Sequence, residues 1–175
     1  MTPDPAVALT GRPRSDYGPT VIKLRACPSA ISSARRSVTA MLSGLVPDDH
    51  LDTVELSTSE LVTNAYGAAT RWAEFMQFGW SHYDTPIHLA VLATPLWTRL
   101  DVRDPETRMT PAKPRGLLDE TGRGLDIVEG LGGHLAHTIA PHHKIVYAVL
   151  PVNGELTAAE LAAAFPKGSQ RWETA

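Results

Sequence analysis

Apolar residues recur at helical spacing up to Ala65 and at every second position from Ile87, so the chain must supply helices first and half-buried strands afterwards. Ile87, Leu89, Val91 and Ala93 alternate along one predicted strand. After Pro95 the next sets Thr98, Leu100 and Val102 on one face and Trp97, Arg99, Asp101 and Arg103 on the other. The charged face turns to solvent and the apolar face to a layer of helices. Asp104 continues the parity of Leu100 and Val102, which predicts a carboxylate on the covered side. An Asp before Pro105 also begins turns, and local sequence leaves both readings open.

The helical half shows its own stripes. Ser29 can cap a helix whose Ile31, Ala34, Val38, Met41, Leu42 and Leu45 form an apolar face, stopped by Pro47. Asp48 or Asp49 can cap a second helix in which Leu51, Val54, Leu61 and Ala65 pack, while Thr53, Ser57, Glu60 and Asn64 form a polar stripe, with fraying near Gly67. Val21 to Leu24 reads as a short strand before these helices. Two more strands are expected near Leu135 to Ile139 and Lys144 to Leu150, after a turn at Gly132-Gly133. Thr157 and Glu160 form a capping box for a last helix ended by Pro166.

At 175 residues and 43% hydrophobic content the chain can bury one real core, and one domain is expected over residues 20–151, with a C-terminal helix and tail over 152–175. Residues 1–19, rich in Pro and Gly, read as a mobile arm. A net charge of −3 argues against direct binding of nucleic acid or a membrane surface. The lone Cys27, the lack of a membrane-length apolar run and the absence of a leader in Met1 to Leu9 point to the cytoplasm. Trp72, Phe75, Phe78, Trp80 and Tyr83 place five of eleven aromatics between Thr70 and Thr85. They read as a short helix or loop over the core, or else as a partner or homodimer surface. His134, His137, His142 and His143 lack the converging ligands that zinc requires, since strand parity separates the first two. Cys27 has no local base and reads as a packing residue.

Chemistry concentrates in three places. Glu60 and Asn64, one helical turn apart, share a face: a carboxylate that can take a proton and a hard amide oxygen suited to Mg²⁺. Asp104 is the second. The third is Thr121-Gly122-Arg123-Gly124, which leads into the helical run from Leu125 and can present backbone N–H groups to an anion such as phosphate, with Lys113, Arg115 and Arg123 nearby in sequence.

Glu60-Leu61-Val62-Thr63-Asn64-Ala65, then Val102-Arg103-Asp104-Pro105, then Gly122-Arg123-Gly124-Leu125-x-x-Val128 together resemble the nucleotide-binding boxes of the histidine-kinase-like (GHKL, Bergerat-fold) ATPases. Within that superfamily the chain is most similar to short bacterial anti-sigma-factor serine kinases and stand-alone ATP-binding proteins. The resemblance implies an α/β (α+β) two-layer sandwich, with a mixed, mainly antiparallel sheet covered on one face by helices and ATP between the layers. It implies Glu60 as general base, Asn64 as Mg²⁺ ligand, Asp104 as acceptor for the adenine amino group, and Gly122, Arg123, Gly124 and Leu125 around the phosphates. It also implies protein partners, namely a sigma factor and the antagonist of an anti-sigma factor.

The chain departs from that pattern at several points. Tyr66, Gly67, Ala68 and Ala69 stand where a basic or His residue usually follows the Asn, and Glu106 stands where a glycine commonly follows the Asp. Ile145 is read as replacing an adenine-assisting hydroxyl. Two function classes follow: a serine/threonine protein kinase using Mg²⁺-ATP, and a non-catalytic module whose loop from Pro105 to Thr121 is ordered by nucleotide. An α/β domain that binds no nucleotide is the third.

Overall fold

The computed structural model describes residues 7–10, 19–76, 86–107 and 124–171. In chain order these form β1 (Val7–Thr10), β2 (Thr20–Arg25), α1 (Ser29–Leu42), α2 (Asp48–Met76), β3 (Pro86–Ala93), β4 (Trp97–Asp104), α3 (Gly124–Gly130), β5 (His134–Ala140), β6 (His143–Pro151), α4 (Ala158–Ala164) and β7 (Gln170–Arg171). The seven strands make one sheet in the order β1-β2-β3-β4-β6-β5-β7, with short β1 and β7 at its edges. Among the described residues every pairing is antiparallel, in keeping with a mainly antiparallel sheet and without the parallel pair that a mixed one would add. The architecture is a two-layer α+β sandwich.

The alternation in sequence becomes rows across the sheet. Ile22 pairs with Leu89, Leu89 with Val102, and Val102 with Val146, so one apolar row crosses four strands on the face toward the helices. A second row runs from Val91 through Leu100 and Ala148 to Leu135. Against these rows pack Ala30, Ala34, Val38 and Leu42 of α1, Val54, Leu61, Val62, Ala65 and Ala69 of α2, and Val128 of α3. Each fully buried Val, Leu or Ile contributes about 1.5–3 kcal/mol by leaving water. The opposite face is covered at one end, where Ala164 and Phe165 at the end of α4 meet Ala136, Tyr147 and Val149. The capping box expected of α4 is present, with Thr157 Oγ1 accepting from Glu160 N and Glu160 Oε2 accepting from Thr157 N.

Several local expectations need correction. Helix α1 begins at Ser29 without a side-chain cap; Ser29 Oγ is instead 3.2 Å from Cys27 Sγ. Leu45 lies beyond the helix, past its end at Leu42, and is 74% exposed. Ser57 leaves the polar stripe and is fully buried on the sheet side of α2. Val7–Thr10, within the stretch expected to be a mobile arm, pair with Val21–Leu24 of β2. Helix α2 does not fray at Gly67 but continues to Met76. Ala65, Ala68 and Ala69 are buried on both sides of Gly67, and that tertiary contact outweighs the roughly 1 kcal/mol helix penalty of one glycine. Of the aromatic segment, Trp72 is half-buried on α2, and Phe78, Trp80 and Tyr83 lie outside the described residues.

Helix α2 is 29 residues long, about 43 Å of helix axis. Its N-terminal end is tied to the sheet by a buried contact between His50 Nε2 and Thr98 Oγ1 at 2.9 Å. Among the described residues no helix is long and apolar enough to cross a membrane.

The α3–β5 junction depends on Gly133. A Cβ there would lie 2.7 Å from the Val128 carbonyl oxygen and 2.9 Å from Leu150 Cδ2, so backbone would have to move. Gly133→Ala is expected to cost about 1–3 kcal/mol in urea unfolding. Gly130→Ala, at a position with no atom within 4 Å of the added methyl, should stay within about 0.5 kcal/mol of wild type.

Candidate functional site

The strand order places β6 between β4 and β5, and α3 is the next described element in the chain after β4. The start of α3 lies against the middle of α2. Glu60 is half-buried there and Asn64 exposed, one turn apart on the same side. A Cβ placed on Gly124 would lie 2.6 Å from Glu60 Oε2, 3.3 Å from Glu60 Cβ and 3.4 Å from Asn64 Nδ2. Gly124 is not among the glycines of positive φ, so close approach, not backbone conformation, requires glycine here. Leu125 is half-buried against the main core, which anchors the first turn of α3. The fold thus brings Glu60, Asn64, Gly124 and Leu125 together from segments about sixty residues apart. Gly122 and Arg123 lie outside the described residues.

Asp104 is 3% exposed, on the helix-facing side of β4, as its parity predicts. Its Oδ1 accepts from the backbone N–H of Glu106 at 2.9 Å and from Lys144 Nζ at 3.2 Å. Asp104 and Lys144 are direct cross-strand partners in the β4–β6 register. Burial pushes the Asp104 carboxyl up to about 6; the Lys144 charge and hydrogen bond and the Glu106 N–H pull the other way without cancelling it. A carboxylate held at such a cost is more characteristic of a site than of a scaffold.

Lys144 is what sequence reasoning missed. Ile145, read from sequence as replacing an adenine-assisting hydroxyl, points to the opposite face of the sheet and packs with the cluster around Tyr147 and Val149. The signal was available, since Lys144 has the parity of Val146, Ala148 and Leu150 and opposes Asp104. Lys144 Nζ is also 3.8 Å from Glu106 Oε2, and that oxygen accepts from Arg71 Nη2 at 3.0 Å. Position 106 therefore carries an acidic bridge between β6 and α2.

Arg71 supplies a second unforeseen element. Its Nη1 lies 3.3 Å from where a Cβ on Gly67 would stand, so the guanidinium reaches back along α2 toward the turn after Asn64. A cation is thus present near that turn, although none occurs at positions 66 to 69. Glu60, Asn64, Gly67 and Arg71 follow one another at spacings of four, three and four, along one side of the helix.

Other candidates fall away from this region. His134 is registered with Val149 and His137 with Val146, on opposite faces of the sheet. Among the described residues no group of three or more His, Cys, Asp or Glu is placed to hold a metal ion. Cys27 packs in part against the core. Ser57 Oγ and Thr58 Oγ1 are buried without a hydrogen-bond partner among the described residues. No protein-family model and no curated protein matches the chain.

Because the folded-state pKa of Asp104 is about 6 against an ordinary 3.8, the folded protein retains a proton that the unfolded chain has released between those values. Raising the pH through that window therefore lowers stability, by on the order of 3 kcal/mol. A carboxyl-carbon NMR titration should show Asp104 with a midpoint near 6, displaced further upward in Lys144→Met. A midpoint near 4 in the wild type would contradict the buried placement.

Proposed function

We propose that this chain is an ATP-binding regulatory protein of the histidine-kinase-like type, which uses Mg²⁺-ATP to phosphorylate a serine or threonine of a protein partner in the cytoplasm. The observation that carries the reading is the contact of Gly124 with Glu60 and Asn64, which joins the first and third boxes of the resemblance at one place. Buried Asp104 adds the second box on the same side of the sheet. The partners follow from the resemblance: a sigma factor that the chain binds and the antagonist protein that it phosphorylates.

The residues fit the nucleotide chemically. Asn64 offers a hard amide oxygen of the kind Mg²⁺ takes, and the backbone of Gly124 lies close beside that side chain. Bound Mg²⁺ would neutralise charge on the phosphate oxygens. Asp104 would accept from the adenine amino group. Both of its hydrogen bonds among the described residues fall on Oδ1, so Oδ2 is the oxygen for that contact. Gly122, Arg123, Gly124 and Leu125 would border the phosphates, and Arg71 would supply the cation that positions 66 to 69 lack. Glu60 would take the proton of the incoming hydroxyl.

Calorimetry with and without Mg²⁺ tests the metal role. Asn64→Ala should weaken Mg²⁺-ATP binding at least tenfold while leaving metal-free nucleotide binding nearly unchanged, since only the former uses the carboxamide as a ligand; tenfold corresponds to about 1.4 kcal/mol. Equal loss in both conditions would mean damage to the fold instead.

Kinase and binding module separate at Glu60. Glu60→Gln keeps size and shape but cannot accept the proton, so phosphate transfer from labelled ATP to the cognate antagonist should fall about 10²–10⁴-fold with ATP affinity preserved. Tight Mg²⁺-ATP binding without transfer to a verified partner would leave the module.

A further inference from the structure

Lys144 is the one lysine buried among the described residues. Removing an ammonium from water is costly unless it is paired, and its neighbours Val146, Ala148 and Leu150 on the same face show that a hydrophobe would suit this row better. Its partner is Asp104, at 3.2 Å, the residue already assigned to the nucleobase. Glu106 at 3.8 Å is close enough for charge attraction but beyond hydrogen-bond length. Of the three N–H donors on Lys144, one is therefore used by Asp104, and among the described residues no second acceptor lies within hydrogen-bond reach.

A carboxylate alone reads one feature of a base, a donor. A carboxylate with an ammonium beside it reads two neighbouring features, a donor next to an acceptor. The edge of adenine presents that pair as its 6-amino group and ring nitrogen N1. Guanine presents the inverse at the same two positions, a carbonyl oxygen and an N–H.

We propose, resting on the nucleotide-binding reading above, that Lys144 is a specificity-determining residue: its Nζ donates to N1 of adenine while Asp104 Oδ2 accepts from the 6-amino group. The ion pair between the two strands sets the spacing of donor and acceptor. Because both side chains rise from directly opposed residues of β4 and β6, the sheet itself holds that spacing. Guanine nucleotides meet an acceptor facing an acceptor and a donor facing a donor, and are rejected.

The competing account is that Lys144 never touches the base and only keeps Asp104 ionised. The two separate with 1-deazaadenosine triphosphate, in which a C–H replaces N1 and the amino group remains. Affinities for this analogue and for ATP are measured by calorimetry on the wild type and on Lys144→Met. A charge-assisted hydrogen bond to N1 predicts that the wild type prefers ATP over the analogue by about tenfold to a hundredfold. It also predicts that Lys144→Met loses most of that preference. An equal loss of affinity for both ligands in Lys144→Met, recovered at higher pH as Asp104 ionises, would overturn the contact and leave Lys144 a positioning residue. If Lys144→Met does not fold, the wild-type preference decides alone, and equal binding of the two ligands overturns the proposal. A wild type that binds neither ligand overturns the nucleotide reading itself, whereas ATP binding without discrimination at N1 overturns only the role of Lys144.

Discussion

Packing of α2 across the apolar rows of the sheet is the contact on which the rest of the molecule depends. The rows exist because four strands present Ile22, Leu89, Val102 and Val146 in register on one face. A one-residue slip of any strand would turn its apolar set to solvent and its charges inward, so register is strongly specified. With the sheet fixed in this way, α2 has one way to lie on it, with Val54, Leu61, Val62 and Ala65 down. Glu60 and Asn64 are then left on the flank that α3 approaches.

The same constraint explains why a carboxylate and an ammonium stand where aliphatic side chains belong. Asp104 and Lys144 occupy the last helix-facing positions at one end of β4 and β6, where the apolar rows run out. They are close enough to the core to be desolvated and close enough to its margin to be reached. The Coulombic gain of the pair does not cancel the burial, as the upward displacement of the Asp104 carboxyl shows. Buried ion pairs are poor stabilisers compared with hydrophobes of similar size, which is why this one is better understood through what it can bind.

Much of the fold was legible because its signals are local and periodic. Alternation along Ile87–Ala93 and Trp97–Asp104 marked two central strands to within a residue, and the parity of Asp104 gave its face. The Thr157–Glu160 box marked α4 for the same reason: a cap is a contact between residues three apart. What failed depended on contacts distant in sequence. Gly67 looked like a helix end because propensity does not register the sheet beneath it, and Ser57 was assigned to the open side because a short polar residue carries no sign of its depth. Lys144 shares the parity of Val146, Ala148 and Leu150, but a lysine at a strand end carries no local sign that it is buried, since its burial depends on Asp104 forty residues away. The approach of Gly124 to Glu60 could not be inferred from spacing alone, since it depends on how α3 packs against α2, a contact between residues about sixty positions apart.

The stripe formed by Glu60, Asn64, Gly67 and Arg71 has a consequence for how such a chain can diverge. An α-helix advances about 1.5 Å and turns about 100° per residue, so distances and directions along α2 come only in fixed steps. Inserting or deleting a single residue between Asn64 and Arg71 would swing the guanidinium about a quarter of the way round the axis, away from Gly67 and Glu106. Changes of seven residues, close to two full turns, would nearly restore direction but shift position by about 10 Å. Relatives that preserve this arrangement should therefore keep the length of α2 between these positions invariant, even where almost every residue type along it has changed.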